Sequence, residues 1–197
     1  MGVAVAPLGG CFLMGEWVVR QIIVVPYQTE WPAAYEREKA LLTATLGAVV
    51  LASHHIGSTA IPGMWAKPII DILLVVTSLD TLDLLDDDMI ALAYLPRGEN
   101  GIPGRRYYRK GSEAVHTHHV HAYEAGHHDI ERHLLFRDYM ACHPDQAQAY
   151  CALKRDLAAR YHDDAESYVA GKDAFIKEMD RQAAAWRRST QDAMGGL

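Results

Sequence analysis

The sequence predicts a single α+β domain, in which a mixed β-sheet carries helices on one face and the carboxy-terminal third of the chain is helical. Two observations lead to this prediction. The chain has 197 residues, half of them apolar, which is enough to bury one sizeable core. Short apolar runs typical of strands alternate with helical patterns as far as Tyr123, whereas helical patterns alone follow Ile130. Strands followed by helices favour an α+β arrangement, and we expect the second sheet face to stay uncovered for a site.

The first predicted elements follow from local patterns. A β-branched run at residues 22–25 is typical of a short strand, and apolar residues at helical spacing over residues 33–46 predict a helix that ends at Gly47. Residues 49–56 have a strand pattern. The nearly continuous apolar run at residues 69–76 indicates a central strand covered on both faces.

The remaining pattern completes one domain over residues 21–190, with a tail at residues 191–197. The later elements are a helix over residues 79–92, strands at residues 106–109 and 114–123 joined by a hairpin turn at Gly111 and Ser112, and three helices separated at His143-Pro144 and at residues 161–164. No internal repeat or low-complexity linker interrupts this order.

Residues 1–20 are predicted to be an extension outside this domain. The first fourteen residues are apolar but contain no Lys or Arg, so they lack the charged start of a secretory signal. Translation that begins at Met14 accounts for this segment more simply than a leader does. We therefore leave residues 1–20 out of the functional interpretation.

Composition and charge disfavour several classes of protein. A formal net charge of −6 and a pI near 6.0 disfavour a general nucleic-acid binder, which needs a basic face to displace counterions from phosphates. No apolar run approaches the roughly 20 residues that span a bilayer. Three cysteines are too few for a disulfide framework. We expect a protein of the reducing cytoplasm that binds a small molecule, without membrane association and without a nucleic-acid partner.

Two neighbouring features have the chemistry of a phosphate and metal site. Gly57, Ser58 and Thr59 follow a predicted strand, and glycine lets a backbone approach phosphate oxygens closely. A helical turn beyond them would offer N–H groups, and Ser58 or Thr59 could cap it or donate a hydroxyl to a phosphate. Asp71 lies in an apolar strand, where an ionised carboxylate needs a metal or a cation. The alternative is a structural role, in which Asp71 pairs with Lys67 or accepts hydrogen bonds from backbone N–H groups.

Around these residues the chain resembles the GrpB family, also designated UPF0157. The family hallmark HIGSTxxPGxxAKPxIDI is matched at residues 55–72 by HIGSTAIPGMWAKPIIDI. The resemblance covers about residues 22–180. Its other matching segments are VPY at residues 25–27 with WP at 31–32, GRRY at 104–107, HHVH at 118–121 and HLLFRDY at 133–139.

The GrpB family is placed in the nucleotidyltransferase superfamily, where a Gly-Ser turn holds nucleotide phosphates and an Asp-x-Asp strand binds two divalent ions. The resemblance implies a nucleotidyltransferase-like fold and these roles for Gly57, Ser58 and Asp71, with Asp71 as the catalytic carboxylate. Strand alternation places Leu73 where the second carboxylate would lie. Two interpretations stay open: an enzyme with a rearranged metal set, and a noncatalytic module that retains nucleotide or anion binding. Family members joined to a dephospho-coenzyme A kinase imply a link to that pathway.

Four histidines in one predicted strand offer further metal ligands. Alternation places His119 and His121 on one face, and His116 and His118 on the other. If they lie beside Asp71, as the third-carboxylate strand does in the superfamily, His119 and His121 complete a two-nitrogen, one-oxygen set suited to zinc, manganese or iron. This set defines a third hypothesis, a mononuclear metal-dependent phosphoester hydrolase. The alternative is that these histidines are hydrogen-bonded strand residues or phosphate-contacting donors.

Basic residues are the remaining candidate phosphate ligands. Arg105, Arg106, Arg109 and Lys110 place four positive charges within six positions of an otherwise acidic chain. They suit a triphosphate, or else form a solvated hairpin paired with nearby acids. Arg137 lies on a helix face that could reach the cleft. The predicted phosphate-binding set comprises Gly57, Ser58, Thr59, Lys67, Arg105, Arg106 and Arg137.

The leading hypothesis is nucleotide-dependent transfer, with Asp71 holding a divalent ion and Gly57 and Ser58 seating phosphates. Magnesium or manganese is the expected ion, with zinc as the alternative, and a nucleoside triphosphate is the expected substrate. Lys154 and Lys172 lie where the family pattern also has lysines. Because most helical lysines are solvated, we assign these two no firm role.

Overall fold

The computed structural model describes residues 21–112 and 115–195. In chain order its elements are α1 (Trp31–Leu46), β1 (Val50–Ile56), β2 (Ile70–Val76), α2 (Leu79–Asp83), α3 (Asp86–Ala91), β3 (Tyr94–Pro96), β4 (Arg106–Gly111), β5 (His116–Glu124), α4 (His128–Cys142), α5 (Pro144–Arg160) and α6 (Ala165–Gly195). Short 3-10 turns at Gly47–Val49 and Ser58–Ala60 flank β1. The predicted extension at residues 1–20 lies outside the described residues, as does residue 114 of the predicted second hairpin strand.

The strands form one mixed sheet in the order β1-β2-β5-β4-β3. β2 and β5 are parallel, and the other neighbours are antiparallel. Asp71 of β2 pairs with His119 of β5, and Leu73 pairs with His121. Because paired residues point to the same side of a sheet, Asp71 and the two histidines share one face. The predicted mixed sheet is confirmed.

α1, α2 and α3 cover the first face and bury the main core against it. α1 has Pro32 in its first turn and ends at Gly47, whose N–H donates to the carbonyl of Thr43. Leu42 of α1 is fully buried in the same cluster as Leu74 of β2. The predicted first helix and its end are thereby confirmed.

The second face is partly covered by α4, whereas the sequence predicted it to be open. Ile130 and Leu134 of α4 pack against Ile56, Leu73 and Tyr123 of the sheet, because the face of the sheet beyond Asp71 is apolar. α5 and α6 then pack with α4. Their shared core comprises Ile61, Met64, Tyr139, Met140, Tyr150 and Met179. Helices therefore lie on both sides of the sheet, and a cavity remains where α4, α5 and α6 do not reach it.

The carboxy-terminal third is helical, as predicted. α5 begins at Pro144, directly after the predicted break, because proline suits the first turn of a helix and disrupts an interior. The second break falls between Arg160 and Ala165, which contains the predicted separation at residues 161–164. α6 continues to Gly195, so the helix includes most of the predicted tail.

The predicted strand at residues 22–25 is reduced to one bridge. In the described part of this segment, Val25 alone pairs, exchanging two backbone hydrogen bonds with Ala66 at 2.9 and 3.0 Å. The next donor on the partner segment would fall at Pro68, which has no N–H. The ladder therefore stops after one pair.

Two further elements differ from the prediction. The helix predicted over residues 79–92 is two short helices, because the backbone of Leu85 (φ −103°, ψ 14°) leaves the helical region between them. The structure also adds β3, whose Tyr94 pairs with Lys110 of β4. Its three residues are too few to show a period-two pattern in the sequence.

Candidate functional site

A cavity of about 280 Å³ lies between the second face of the sheet and the carboxy-terminal helices. The turn after β1 and the start of β2 form one wall, and side chains of α4, α5 and α6 form the other. Its polar lining comprises Gly57, Ser58, Thr59, Lys67, Asp71, His119, Arg132, His133, Lys154 and Lys172. The structure therefore brings the predicted turn, the strand aspartate and one predicted histidine together with basic side chains from distant helices.

Gly57 allows the turn to approach the Asp71 carboxylate closely. Its backbone has φ 69° and ψ −171°, a combination that is essentially restricted to glycine. A Cβ atom at this position would lie 2.5 Å from Asp71 Oδ2, well inside van der Waals contact. Glycine is therefore required both by the backbone conformation and by the neighbouring carboxylate.

The turn after Gly57 uses Thr59 for its own stability. Ser58–Ala60 form a single 3-10 turn, which is too short to supply the helix dipole that the sequence suggested. Thr59 Oγ1 donates to the carbonyl of Ile69 at 3.3 Å and accepts from Nε2 of His55 at 3.0 Å. Burial lowers the pKa of His55 to about 4, so its ring is neutral and donates through Nε2. The Thr59 hydroxyl, predicted to contact phosphate, instead ties the turn to β2.

Lys154 of α5 reaches the turn from the opposite wall. Its Nζ donates to Ser58 Oγ at 2.9 Å and to the carbonyl of Trp65, and it lies 4.4 Å from the centre of the Tyr150 ring. The residue is 2% exposed. Burial lowers the pKa of Lys154 to about 7, and the charge of Lys172 adds to the shift. The sequence left this lysine without a role because its burial depends on how α5 packs.

Asp71 contacts both histidines that were predicted to lie beside it. His119 Nδ1 donates to Asp71 Oδ1 at 3.1 Å, and His121 Nε2 lies 3.7 Å from the same oxygen. Burial alone would raise the pKa of Asp71, but hydrogen bonds and charges from the two histidines outweigh it and hold the pKa far below its usual range. Asp71 is therefore an ionised carboxylate that faces the cavity.

The predicted alternation of the β5 histidines holds at one of the two outer positions. His118 points to the first face, where its Nε2 lies 3.9 Å from a carboxylate oxygen of Glu38. His116 departs from the pattern: its ring packs against His119 with 4.8 Å between ring centres. A register irregularity between Lys110 and Gly111 of the partner strand lies beside it, and such irregularities redirect side chains.

The predicted metal ligands Asp71, His119 and His121 do not have all three ligand atoms within 4.8 Å of one another. Ligand atoms about 2.1 Å from one tetrahedral ion lie roughly 3.4 Å from each other. Among the described side chains of residues 21–112 and 115–191, His127, His128 and Asp129 supply three such atoms that all lie within 4.8 Å of one another. Asp129 of that group is already paired with the Arg132 guanidinium at 2.6 Å.

Three further basic side chains line the cavity. Lys67 and Lys172 place their ammonium groups 5.0 and 4.5 Å from the centre of the Tyr168 ring. Burial lowers the pKa of Lys172, and the charge of Asp71 opposes that shift. Arg132 enters from α4. With Lys154, the lining contains four basic side chains and one carboxylate, in a chain whose net charge is −6.

Arg106 and Arg137, both predicted phosphate ligands, lie outside the cavity. Arg106 forms a two-pronged ion pair with Asp83 of α2, at 2.6 and 2.7 Å. Arg137 donates to the carbonyl of His55 at 3.1 Å and to the carboxylate of Asp138 at 2.8 Å. Asp83 and His55 are distant in sequence from the arginines that they contact, which is why these positions were not predicted.

Arg105 lies behind the site and does not line the cavity, although it was predicted to contact phosphate. It is buried and donates to the carbonyls of Glu99 and Asn100 at 3.2 and 2.8 Å. One guanidinium nitrogen lies 3.4 Å from Nδ1 of His121. Arg105 thus fixes the preceding loop and supports a histidine that contacts Asp71.

Comparison with known families agrees with this arrangement. The family model described as GrpB protein matches residues 21–182. The chain belongs to the GrpB family. A Bacillus subtilis relative, the UPF0157 protein YqkA, is 45% identical over 90% of this chain and 52% of its own length. The glutamate-rich protein GrpB of Alkalihalophilus pseudofirmus is 32% identical over 81% of this chain and 94% of its own length.

The GrpB domain also occurs within longer relatives. A dephospho-CoA kinase of Mycolicibacterium paratuberculosis is 31% identical over 85% of this chain and 47% of its own length. The chain thus spans about half the length of YqkA and of this kinase. The crystal structure of a conserved GrpB protein from Enterococcus faecalis is 41% identical, with a TM-score of 0.78 over 82% of this chain and 96% of that one. Over its described residues, the present structure contains no helix long and apolar enough to span a membrane.

In this member of the GrpB family, Leu73, at the position where the resemblance implied a second carboxylate, lies in apolar surroundings. Leu73 is fully buried with Ile56 and Tyr123 under α4. A carboxylate there would be desolvated within this apolar cluster, at a cost of several kcal/mol. The site therefore has one strand carboxylate, as the sequence predicted.

Two cavity residues were not singled out from the sequence. Arg132 Nη2 lies 3.1 Å from His133 Nε2, which fixes His133 as the acceptor. Burial lowers the pKa of His133 to about 3, and the charges of His121 and Arg132 add to the shift. The available signal was weak: His133 begins a segment that matches the GrpB pattern, and Arg132 directly precedes it.

Proposed function

We propose that this GrpB domain binds the phosphate groups of a nucleotide or another phosphorylated small molecule in the cavity beside Asp71. One observation carries the proposal: four basic side chains line the same cavity as the Gly57-Ser58 turn in an otherwise acidic chain. Basic side chains desolvated around a small cavity favour an anion, because Coulomb attraction strengthens as water is excluded. A cavity of this volume suits a phosphate chain better than a polymer.

Lys67 and Lys172 are the proposed anion ligands, whereas Arg132 is already paired with Asp129 at 2.6 Å and Asp180 at 3.4 Å. The two lysines come from the segment before β2 and from α6, so they approach the cavity from two elements rather than form one surface patch. Each charge-assisted hydrogen bond to a phosphate contributes about 1.5–3 kcal/mol. Ser58 completes the set with its hydroxyl on the turn.

A magnesium or manganese ion fits this site through Asp71. Mg²⁺ commonly binds to one or two carboxylates together with the phosphates of the substrate, and Asp71 supplies one ionised carboxylate on the cavity wall. When bound, such an ion would neutralise phosphate charge. The zinc alternative with His119 and His121 is less well supported: each histidine has a nitrogen within 3.7 Å of Asp71 Oδ1, but the three ligand atoms do not all lie within 4.8 Å of one another.

Nucleotidyl transfer is the specific reaction that we propose, with the acceptor left open. The dephospho-CoA kinase relative makes a nucleotide a reasonable ligand for a GrpB domain. The competing function is nucleotide or anion binding without transfer, and the burial of Leu73 favours it, because two-metal transfer needs a second carboxylate.

Calorimetric titration with ATP and CTP, in the presence of manganese, tests the proposal. We expect binding that Lys172→Ala weakens at least about tenfold, because it removes one charge-assisted contact. Lys177→Ala is the matched control, since Lys177 lies on the same helix but is exposed and paired with Asp173. Asp71→Asn should abolish the manganese dependence.

Equal binding by the Lys172 and Lys177 variants would remove the cavity from the proposal. Pyrophosphate release with ATP or CTP would identify transfer, whereas tight binding without any release would identify the noncatalytic module. Because both outcomes begin from measured binding, a protein that binds neither nucleotide overturns both functions.

A further inference from the structure

Lys154 has surroundings that an anion-binding role does not explain. Its Nζ contacts Ser58 Oγ, the carbonyl of Trp65 and the Tyr150 ring, and the residue is 2% exposed. Among the side chains described, those of residues 21–112 and 115–191, no carboxylate forms an ion pair with it. Burying an ammonium group without a counter-ion is costly, and the amine avoids that cost by losing its proton.

The groups that face Lys154 agree with a neutral amine near neutral pH. Burial is the main cause of its lowered pKa of about 7, and the nearby Lys172 lowers it further, while Cys151 acts in the opposite direction. The titratable and charged groups around it are Tyr150 and Cys151 on α5, Tyr168 and Lys172 on α6, and Lys67 on the segment before β2. The one carboxylate in the cavity lining, Asp71, is contacted by His119 and His121 and forms no ion pair with Lys154.

Ser58 has the access that a nucleophile requires. It lines the cavity, and its position is fixed by the Gly57 turn and by the hydrogen bond to Lys154 at 2.9 Å. A serine hydroxyl becomes nucleophilic when a base lies within hydrogen-bond reach of it, and serine–lysine pairs are one form of that arrangement. Lys67 and Lys172 line the same cavity and could stabilise charge on an attacked group.

We propose that Ser58 is a nucleophile, with Lys154 as its general base, and that it accepts a phosphoryl group from a phosphate ester or anhydride. This inference rests on the proposed binding of phosphates in the same cavity. Ser58 Oγ bonds to phosphorus while the bond from phosphorus to the leaving oxygen breaks. The hydroxyl proton moves to Lys154 Nζ and then to the leaving oxygen. Water can then attack phosphorus, which releases phosphate and restores the Ser58 hydroxyl.

Diisopropyl fluorophosphate tests the nucleophile without knowledge of the substrate, and acetyl phosphate tests phosphoryl acceptance. Each reagent is incubated with the full chain, and the adduct is located by mass spectrometry of peptides. We expect an adduct on Ser58, formed at a rate that rises with pH around 7 as Lys154 loses its proton. Other serines serve as internal controls, notably the exposed Ser189.

Two variants separate a base from a structural contact. Lys154→Met and Lys154→Arg should both slow labelling of Ser58 at least about 100-fold and remove its pH dependence, because neither side chain can accept the proton. The arginine variant retains a donor to the Ser58 hydroxyl, so a purely structural role predicts that it labels at the wild-type rate.

ATP binding is measured on the same preparations, to separate this inference from the proposed function. Wild-type protein that binds ATP but gives no Ser58 adduct with either reagent overturns the nucleophile and leaves phosphate binding in place. Labelling that persists in Lys154→Arg overturns the role of Lys154 as base. Adduct formation without any nucleotide binding supports the nucleophile and overturns the nucleotide function.

Discussion

Replacing Lys154 with Met should change how the stability of this protein depends on pH. The pKa of Lys154 is lowered from 10.5 to about 7 in the folded chain. Between these values the unfolded chain holds one proton more than the folded chain, so the free energy of unfolding rises with pH by about 1.36 kcal/mol per pH unit. Below pH 7 both states are protonated, and the full burial cost remains.

The size of the effect follows from that window. From pH 7 to pH 9 the wild-type protein should gain about 2 kcal/mol of stability that Lys154→Met does not gain, because Met has no proton to release. Over the whole range to pH 10.5 the difference approaches about 4–5 kcal/mol. Other titrating groups contribute equally to both proteins and cancel in the comparison.

Urea unfolding followed by circular dichroism at pH 7, 8 and 9 measures this difference. Lys177→Met serves as the control, because Lys177 is an exposed lysine whose side chain is 74% accessible. Its stability should track that of the wild type at each pH. If the difference between wild type and Lys154→Met stays constant within about 0.5 kcal/mol, Lys154 is not a displaced titrating group, and it cannot act as a neutral base.

Three other substitutions test the geometry. Gly57→Ala should lower the free energy of unfolding by about 3 kcal/mol and abolish ATP binding. Gly63 has a similar positive φ but open space around a Cβ, so Gly63→Ala should lower the free energy of unfolding, measured by thermal unfolding, by only about 1–2 kcal/mol. Leu73→Asp should lower stability by more than about 3 kcal/mol in urea unfolding, because the new carboxylate would be buried in an apolar cluster with Ile56 and Tyr123. Arg106→Ala should leave the calorimetric affinity for ATP unchanged, since its guanidinium is held by Asp83, and a tenfold loss would contradict that assignment.

Predictions made from local sequence patterns agree with the structure where the local pattern alone determines the helix end or the strand face. The helix that ends at Gly47 and the break at Pro144 depend on backbone properties of single residues, so both were predictable. The shared face of Asp71 and His119 depends on period-two alternation and on the pairing of two strands. The Gly57 turn followed from the GrpB resemblance and from the properties of glycine.

The basic residues of the site could not be assigned in this way. Arg106 and Lys154 are both cations in matching segments of the chain, yet one pairs with Asp83 of α2 and the other is buried against Ser58. Which of these happens depends on where α2 and α5 pack, and local sequence contains no such information. The covering of the second face by α4 has the same origin, since an apolar helix face does not specify its partner.

The energetic costs of this fold are concentrated at the cavity. The Gly57 backbone is accessible essentially to glycine alone, and Lys154 is buried without a carboxylate, at a cost of about 4–5 kcal/mol at neutral pH. That is a large part of the roughly 5–15 kcal/mol by which domains are stable. Leu73, by contrast, stabilises the fold, because it is fully buried in the core at the position where a second carboxylate was expected. In the proposed function, the cavity thus retains the groups that would hold phosphate and lacks a second carboxylate for a second ion, and the proposed Ser58–Lys154 pair is the group in this cavity whose chemistry would not depend on that ion.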